Sequence, residues 1–364
     1  MIKPKTVLTE ATEFTPASQD GLFEYAEQLG FGEIHIKTDE KTGLRAIIAI
    51  HSTSRGPAIG GCRCIAYPSE SDAFKDALRL AQMMSYKAAI CEIPHGGGKA
   101  VLVRPPVIKN QTAYFRSFGH FVQELNGRYI TGVDSGTGSP EMDIIAQVTP
   151  YVTCTTVQGD PSWHTALGVR LGIEAAVHFK LGKPKLNGIR VAIQGAGHVG
   201  YELAKELKAK GAIVIQCDID SQRLQQCVEE LGVIPVSVEN IYDVECEVFA
   251  PCAWGSILNP QTIPRLKANI VAGSANNQLL NKEQAMLLHQ RSILYAPDFV
   301  INSGGVMYEA ALYNRGNVER VIPFINTLYN ALWHIFERAQ AENHPTHDIA
   351  EVIAQEKIAA AQEN

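Results

Sequence analysis

Several features are missing from this chain of 364 residues. No run of about 18 apolar residues occurs, so no membrane-crossing helix is expected. The opening MIKPKTVLTEATEF lacks the continuous apolar core of a secretion signal. Positive charge is not in surplus: 32 Lys and Arg stand against 38 Asp and Glu, a net charge of −6. That excludes a general nucleic-acid binder and a basic membrane-surface protein. Charged residues make up only 19% and hydrophobic residues 46%, which excludes disorder over most of the length. No 20–50-residue repeat or low-complexity segment is present. Metal-ligand spacing is also missing. Cys62 and Cys64 are too close for an ordinary zinc pair, and no second pair follows, so no metal is expected. The remaining cysteines are Cys91, Cys154, Cys217, Cys227, Cys246 and Cys252. Several lie in apolar runs such as QCDID and FAPCAW, which reads as buried reduced thiols in a cytoplasmic protein.

What is present has the rhythm of two domains. The first twenty residues are polar and read as loose. Residues 33–67 alternate apolar runs with glycine-rich turns, which reads as strands. From Ser71, the apolar residues Ala73, Ala77, Leu80, Ala81 and Met84 recur at helical spacing. A second helix carries Tyr114, Phe118, Phe121, Val122 and Leu125 and stops at Asn126-Gly127. Ser139 reads as an N-cap with Pro140 opening the next helix. A long helix is expected from Thr165 to about Lys180. Apolar runs then recur with helical or polar connections, as in a parallel sheet covered by helices. After Val321 the chain reads as helical and is expected to pack back on the first domain. The reading is α/β: a mixed α/β catalytic and oligomerisation domain (1–155 with 321–364) and a Rossmann-type doubly wound domain (156–320).

The strand IRVAIQ runs into Gly195-Ala196-Gly197-His198-Val199-Gly200, and the next strand ends at Asp218. In a G-x-G-x-x-G turn the first glycine permits the turn, the second admits a pyrophosphate, and the third lets helix and strand pack. The helix N-terminus offers free N–H groups to phosphates. A carboxylate at 218 can hold a ribose diol and repels a 2′-phosphate, which favours NAD over NADP. Asp220 competes for that role, and Arg223 is the nearby group that could receive a 2′-phosphate. The plainer alternative is a turn needing glycine for packing alone.

In the first half, Ser85-Tyr86-Lys87, the loop His95-Gly96-Gly97-Gly98-Lys99-Ala100 and Gly132-Val133-Asp134 stand out. Lys99 is no Walker lysine, because the loop is too short and Ala100 replaces the magnesium-binding hydroxyl. Two neighbouring lysines in apolar, glycine-rich surroundings would depress each other's pKa, creating a base near neutral pH and a site for an anion. Two solvated lysines are the alternative.

At these residues the chain resembles the glutamate, leucine, phenylalanine and valine dehydrogenase family, most of all the leucine, phenylalanine and tryptophan members. The likeness runs through RGPAIGGCR, DALRLAQMMSYKAA, IPHGGGKAV, ELNGRYITGVD, TALGV, VAIQGAGHVG, IYDVECEVFAPCAWG, IVAGSANNQL and ILYAPDFVINSGG. It implies NAD-dependent oxidative deamination of an amino acid to a 2-oxo acid and ammonium, in a homo-oligomer, with domain closure excluding water. It also implies roles. Lys87 holds the substrate carboxylate, Lys99 activates water behind three glycines, and Asp134 exchanges protons with the amine. Gly60 and Gly61 admit the substrate. Asn276 and Asn277 lie near nicotinamide and substrate, Ala253 near its ribose and Thr165 near its carboxamide. The departures from the family are Ser135, Trp163-His164, His198 and Trp254. His51, His95 and His164 read as non-catalytic.

By the same resemblance, Ile59, Met84, Gly132-Val133, Val306 and Glu309, with Tyr308 beside them, line the side-chain pocket. The aliphatic members imply an apolar substrate of the leucine or branched-chain type, with tryptophan or phenylalanine second. Glu309 conflicts with this. Either it turns away to solvent or a salt bridge, or the substrate carries a donor such as an indole N–H. Two readings of other classes are weaker: a Rossmann-type methyltransferase needs neither lysine nor Asp134, and a non-catalytic metabolite-binding paralogue would not need the complete set.

Overall fold

The computed structural model describes residues 21–31, 33–314 and 321–362. The first twenty residues, read as loose, lie outside these. The chain runs α1 (Leu22–Gln28), β1 (Glu33–Asp39), β2 (Leu44–Ser52), β3 (Ala58–Ile65), α2 (Glu70–Ile90), β4 (Gly96–Val103), α3 (Gln111–Glu124), β5 (Tyr129–Val133) and α4 (Ser139–Ala146). It continues with α5 (Ser162–Leu181), β6 (Arg190–Gln194), α6 (His198–Ala209), β7 (Ile213–Cys217), α7 (Ser221–Leu231), β8 (Ile234–Pro235), β9 (Val248–Pro251) and β10 (Ile270–Val271). Last come α8 (Glu283–Gln290), β11 (Leu294–Tyr295), α9 (Asp298–Ile301), α10 (Gly304–Tyr313), α11 (Val321–Glu342) and α12 (Thr346–Gln362).

Two sheets result. The first has the order β1-β2-β4-β3-β5, with β1, β2 and β4 antiparallel neighbours and β3 parallel to β4 and β5. The second, β11-β10-β9-β6-β7-β8, is parallel throughout, as in a doubly wound fold. The first sheet is covered on both faces, and the period-two alternation of its strands divides the residues. Ile47, Ala49 and Val101 pack with α2, while Ile48, Ile50, Ala100 and Leu102 pack with α3 and α4. Lys99 shares the parity of Val101 and so lies on the α2 side.

The segment read as a Gly-Gly-Gly loop is the start of β4, the central strand. Its glycines meet protein: a Cβ on Gly96 would overlap the Ser52 carbonyl, and one on Gly97 the backbone nitrogen of Ser85 in α2. One on Gly98 would lie 2.9 Å from the Tyr129 ring. They therefore serve close packing rather than approach of a substrate, and Gly97 lets α2 lie directly on β4.

Local capping explains the helix starts. Ser69 accepts from Asp72 N–H at 3.1 Å and caps α2. Ser139, expected as the N-cap of α4, is already helical; Gly138 caps it, and the Glu141 carboxylate folds back to the Gly138 N–H at 2.7 Å. The helix expected from Thr165 begins at Ser162, whose N–H is held by Asp160 at 2.8 Å. The helical end divides in two. α11 stacks on α5, with Leu328 against Gly168 and Leu332 against Gly172, and only α12 returns to α2. The expectation that the whole tail covers the first half thus holds for α12 alone, because the glycines of α5 offer α11 a close seat. Among the described residues no helix is long and apolar enough to cross a membrane.

Gly97→Ala should cost about 2–3 kcal/mol, because the Ser85 backbone nitrogen and Cα would both lie within 2.5 Å of the new methyl group. Gly197→Ala should cost less than about 1 kcal/mol, since a Cβ there would meet nothing within 4 Å. Urea unfolding of both variants checks this; equal midpoints would contradict the packing role given to Gly97.

Candidate active site

A cavity of about 200 Å³ lies between the two sheets. Its first wall is the C-terminal end of α2, with Met84 and Lys87, and the strands beneath it. Gly60 and Gly61 come from β3, Lys99 from β4, and Gly132, Val133 and Asp134 from the end of β5. The opposite wall comes from the other half: Thr165 of α5, Asn276 and Asn277 after β10, and Val306 and Glu309 of α10. The cavity thus collects every residue expected to touch substrate, and two of those expected near nicotinamide. A Cβ on Gly60 or Gly61 would strike the Gly98 or Val133 carbonyl first. Strand packing alone therefore demands glycine at both.

Lys99 is only 5% exposed and pairs with Asp134 Oδ2. Arg63, which no sequence argument singled out, donates through Nε to Asp134 Oδ1 at 2.8 Å. Its other end reaches Asp76 at 2.9 Å, and Tyr67 donates to the same carboxylate at 2.7 Å. The Ser135 N–H adds a further bond to Asp134 Oδ1 at 2.6 Å. Burial alone would raise the Asp134 carboxyl; the charges of Lys99 and Arg63 outweigh it and hold the group well below the usual carboxylate range. Lys87 donates to Asn302 Oδ1 at 2.7 Å, and burial, more than Lys99's charge, depresses its ammonium. Mutual repulsion of the lysines is therefore the smaller cause at Lys87. Asn302, also missed from sequence, passes its own N–H to Asn276 Oδ1 at 2.7 Å and to the Ser274 carbonyl at 3.0 Å.

Glu309 neither reaches solvent freely nor forms a salt bridge among the described residues. It lines the cavity beside Gly132, and the Cys154 thiol is its hydrogen-bond neighbour. Burial pushes its carboxyl up to about 7, against the weaker pull of Cys154, Lys87 and Lys99. Both lysines are bonded elsewhere. Tyr308 turns away and donates to the Gln158 carbonyl at 2.6 Å. His164 stacks on Tyr308 with ring centres 3.8 Å apart. His51 and His95 bond the carbonyls of Leu29 and Pro57.

The glycine turn lies outside this cavity, at the C-terminal end of β6. Gly195 has φ +111° and sits against Cys252 and Ala253 at the end of β9. A Cβ on Gly200 would overlap the Gly195 carbonyl. Gly197 faces open space at the N-terminus of α6. His198 is exposed there, and Val199 packs on the core. Asp218 Oδ2 accepts the Ala196 N–H at 2.5 Å, which draws the carboxylate to the turn. Asp220 is occupied as the N-cap of α7, accepting from Gln222 and Arg223 N–H, and the Arg223 side chain lies 3.4 Å from it. All eight cysteines are unpaired.

Known proteins match along most of this chain. A family model for the Glu/Leu/Phe/Val dehydrogenase dimerisation domain matches residues 30–151, and one for glutamate/leucine/phenylalanine/valine dehydrogenase matches 219–364. The leucine dehydrogenase of Geobacillus stearothermophilus is 45% identical over 341 residues, 93% of each chain. An L-tryptophan dehydrogenase of Nostoc punctiforme is 39% identical, covering 93% of this chain and 96% of that one. A crystal structure of L-tryptophan dehydrogenase from Nostoc punctiforme superposes with a TM-score of 0.83 at 37% identity, covering 94% of this chain and all of the other.

Arg63→Leu should strip the Asp134 and Asp76 carboxylates of a common partner and cost about 3 kcal/mol near pH 7. The depressed Asp134 contributes stability that is complete above about pH 4–5 and is lost as pH falls toward its folded value. In the variant the Asp134 carboxyl is less depressed, so less stability should be lost between pH 7 and pH 3 and the two proteins should draw together as pH falls. Urea midpoints between pH 7 and pH 3 measure it; unchanged midpoints would mean that Arg63 does not hold Asp134.

Proposed function

The chain belongs to the Glu/Leu/Phe/Val dehydrogenase family, and from that premise we propose that its cavity carries out the NAD-dependent, reversible oxidative deamination of an apolar L-amino acid to the 2-oxo acid and ammonium. The convergence of Lys87, Lys99 and Asp134 in one cavity, facing Asn276 and Thr165 from the other half, is the observation that carries this reading.

Gly197, open to the N-terminus of α6, is a cradle that a side chain would fill, and it fits a pyrophosphate. Gly195, Gly197, His198, Val199 and Gly200 would hold that group, Asp218 the adenine ribose, and Ala253, Thr165 and Asn276 the nicotinamide end. Bound there, the nicotinamide supplies the hydride acceptor. NAD rather than NADP is supported by Asp218 at the turn and by Arg223 lying beside Asp220.

Lys87 would hold the substrate carboxylate, whose charge compensates the burial of the ammonium. Asp134, kept ionised by Arg63 and Lys99, is ready to take a proton from the substrate ammonium. After hydride loss, Lys99 in its neutral form would take a proton from the water attacking the imino carbon. Asp134 would return a proton to the carbinolamine nitrogen; the C–N bond then breaks, the C–OH becomes C=O, and its proton passes to the departing ammonia to give ammonium. On their own, the aliphatic walls of Ile59, Met84 and Val306 favour an apolar side chain of the leucine or branched-chain type. Glu309 favours a second reading, an aromatic amino acid. The division at about 155, with one domain around each sheet, is part of the proposal, as are a homo-oligomer (supported by the dimerisation-domain match) and a cytoplasmic setting (supported by the unpaired thiols).

The test is a screen of twenty amino acids with NAD⁺ at alkaline pH, reading absorbance at 340 nm. Apolar substrates should lead. Lys99→Ala should lower kcat about 10²–10⁴-fold while NAD⁺ still binds; retention of a third of wild-type turnover would remove Lys99 from the role of base. NADP⁺ should be at least about tenfold poorer in kcat/KM. Equal values would show that Asp218 does not face the ribose.

A further inference from the structure

Within the proposed reaction, the apolar walls of the cavity meet Glu309 and Thr153, and the Thr153 hydroxyl donates to Gln158 Oε1 at 3.4 Å. Ile59, Leu80, Met84 and Val306 supply the walls, and the carboxylate of Glu309 stands among them. Its surroundings do not satisfy it. Gly132 beside it has no side chain, and the Cys154 thiol is a weak donor. Lys87 and Lys99 donate to Asn302 and Asp134. A carboxylate left in this state is costly unless something that enters the cavity completes it. Burial raises it to about 7, so it is ionised, and an acceptor only, in alkaline solution.

Resting on the reading of the cavity as an amino-acid site, we propose that Glu309 is a specificity-determining residue that accepts a hydrogen bond from the substrate's side chain, so that the preferred substrate is largely apolar and ends in one neutral N–H or O–H donor. A neutral donor suits the aliphatic walls, which would leave a cationic head poorly solvated. It also suits the nearby Lys87 and Lys99 charges, which would repel a cation. Purely aliphatic side chains would leave the carboxylate desolvated without a partner, and they would be accepted less well for that reason.

Matched substrates test this in wild-type enzyme with NAD⁺. Tryptophan is paired with 3-(3-benzothienyl)alanine, in which sulfur replaces the indole N–H, and tyrosine with phenylalanine. At least one donor-bearing member should exceed its partner in kcat/KM by about tenfold or more, and the pair that does so shows whether the donor is N–H or O–H. Glu309→Val should bring the members of that pair together and raise leucine by a similar factor. Glu309→Gln, nearly isosteric and retaining a carbonyl acceptor, should keep part of the discrimination. Equal values within both pairs in the wild type, or ratios unchanged by Glu309→Val, would overturn the assignment. Lysine or ornithine as the best substrate would overturn the neutral-donor class. Turnover of leucine without discrimination in either pair would sink this inference alone, whereas no turnover of any amino acid would sink the proposed reaction as well.

Discussion

The whole site depends on one steric fact: at Gly97 there is no room for a side chain. Helix α2 rests there on strand β4, with the Ser85 backbone against the glycine. One residue pair further on, that contact places Lys87 of the helix and Lys99 of the strand in the same cavity. Any methyl group at 97 would lift the helix from the sheet and carry Lys87 away from Lys99. The glycines at 60 and 61 do the same for β3 between its neighbours, so Asp134 at the end of β5 can meet Lys99. The apolar cores on both faces of this sheet then hold the arrangement by burial.

The charges follow from that packing. A lysine with almost no exposure and an aspartate beside it would each be costly alone. Together with Arg63 they form a chain that runs outward to Asp76 and Tyr67, so the aspartate is held from two sides. Bidentate or multiple contacts of this kind restrict a carboxylate's rotation as well as its charge. Chemistry that needs a carboxylate at one fixed place gains from both.

The parallel sheet, its covering helices and the glycine turn were legible in the sequence, because each rests on local patterns: a 2.0 or 3.6 period, a cap, a glycine where the backbone must turn. Lys87, Lys99 and Asp134 were legible through family likeness. The triple glycine before Lys99 was misread as a loop. Glycine weakens a strand on propensity grounds, and the reason for it here, a helix backbone 12 residues earlier in the chain, is a tertiary contact. Arg63 and Asn302 were missed for a related reason. Their partners lie 71 and 215 residues away, and neither an arginine in a strand nor an asparagine at the end of a helix announces such a pairing. Glu309 was legible as a conflict, but its outcome depends on what α10 packs against.

Asn302 has a further consequence for the polarity of the cavity. An ammonium can only donate, so Lys87 obliges Asn302 to present its oxygen to it. The amide has two ends, and its N–H is thereby directed to Asn276 Oδ1. With its oxygen turned to Asn302, Asn276 directs its own NH2 group the other way. The handedness of two amides, otherwise free to flip, is thus fixed by the charge of a lysine from the other half of the molecule. A charge on α2 thereby sets the orientation of an amide that lies after β10.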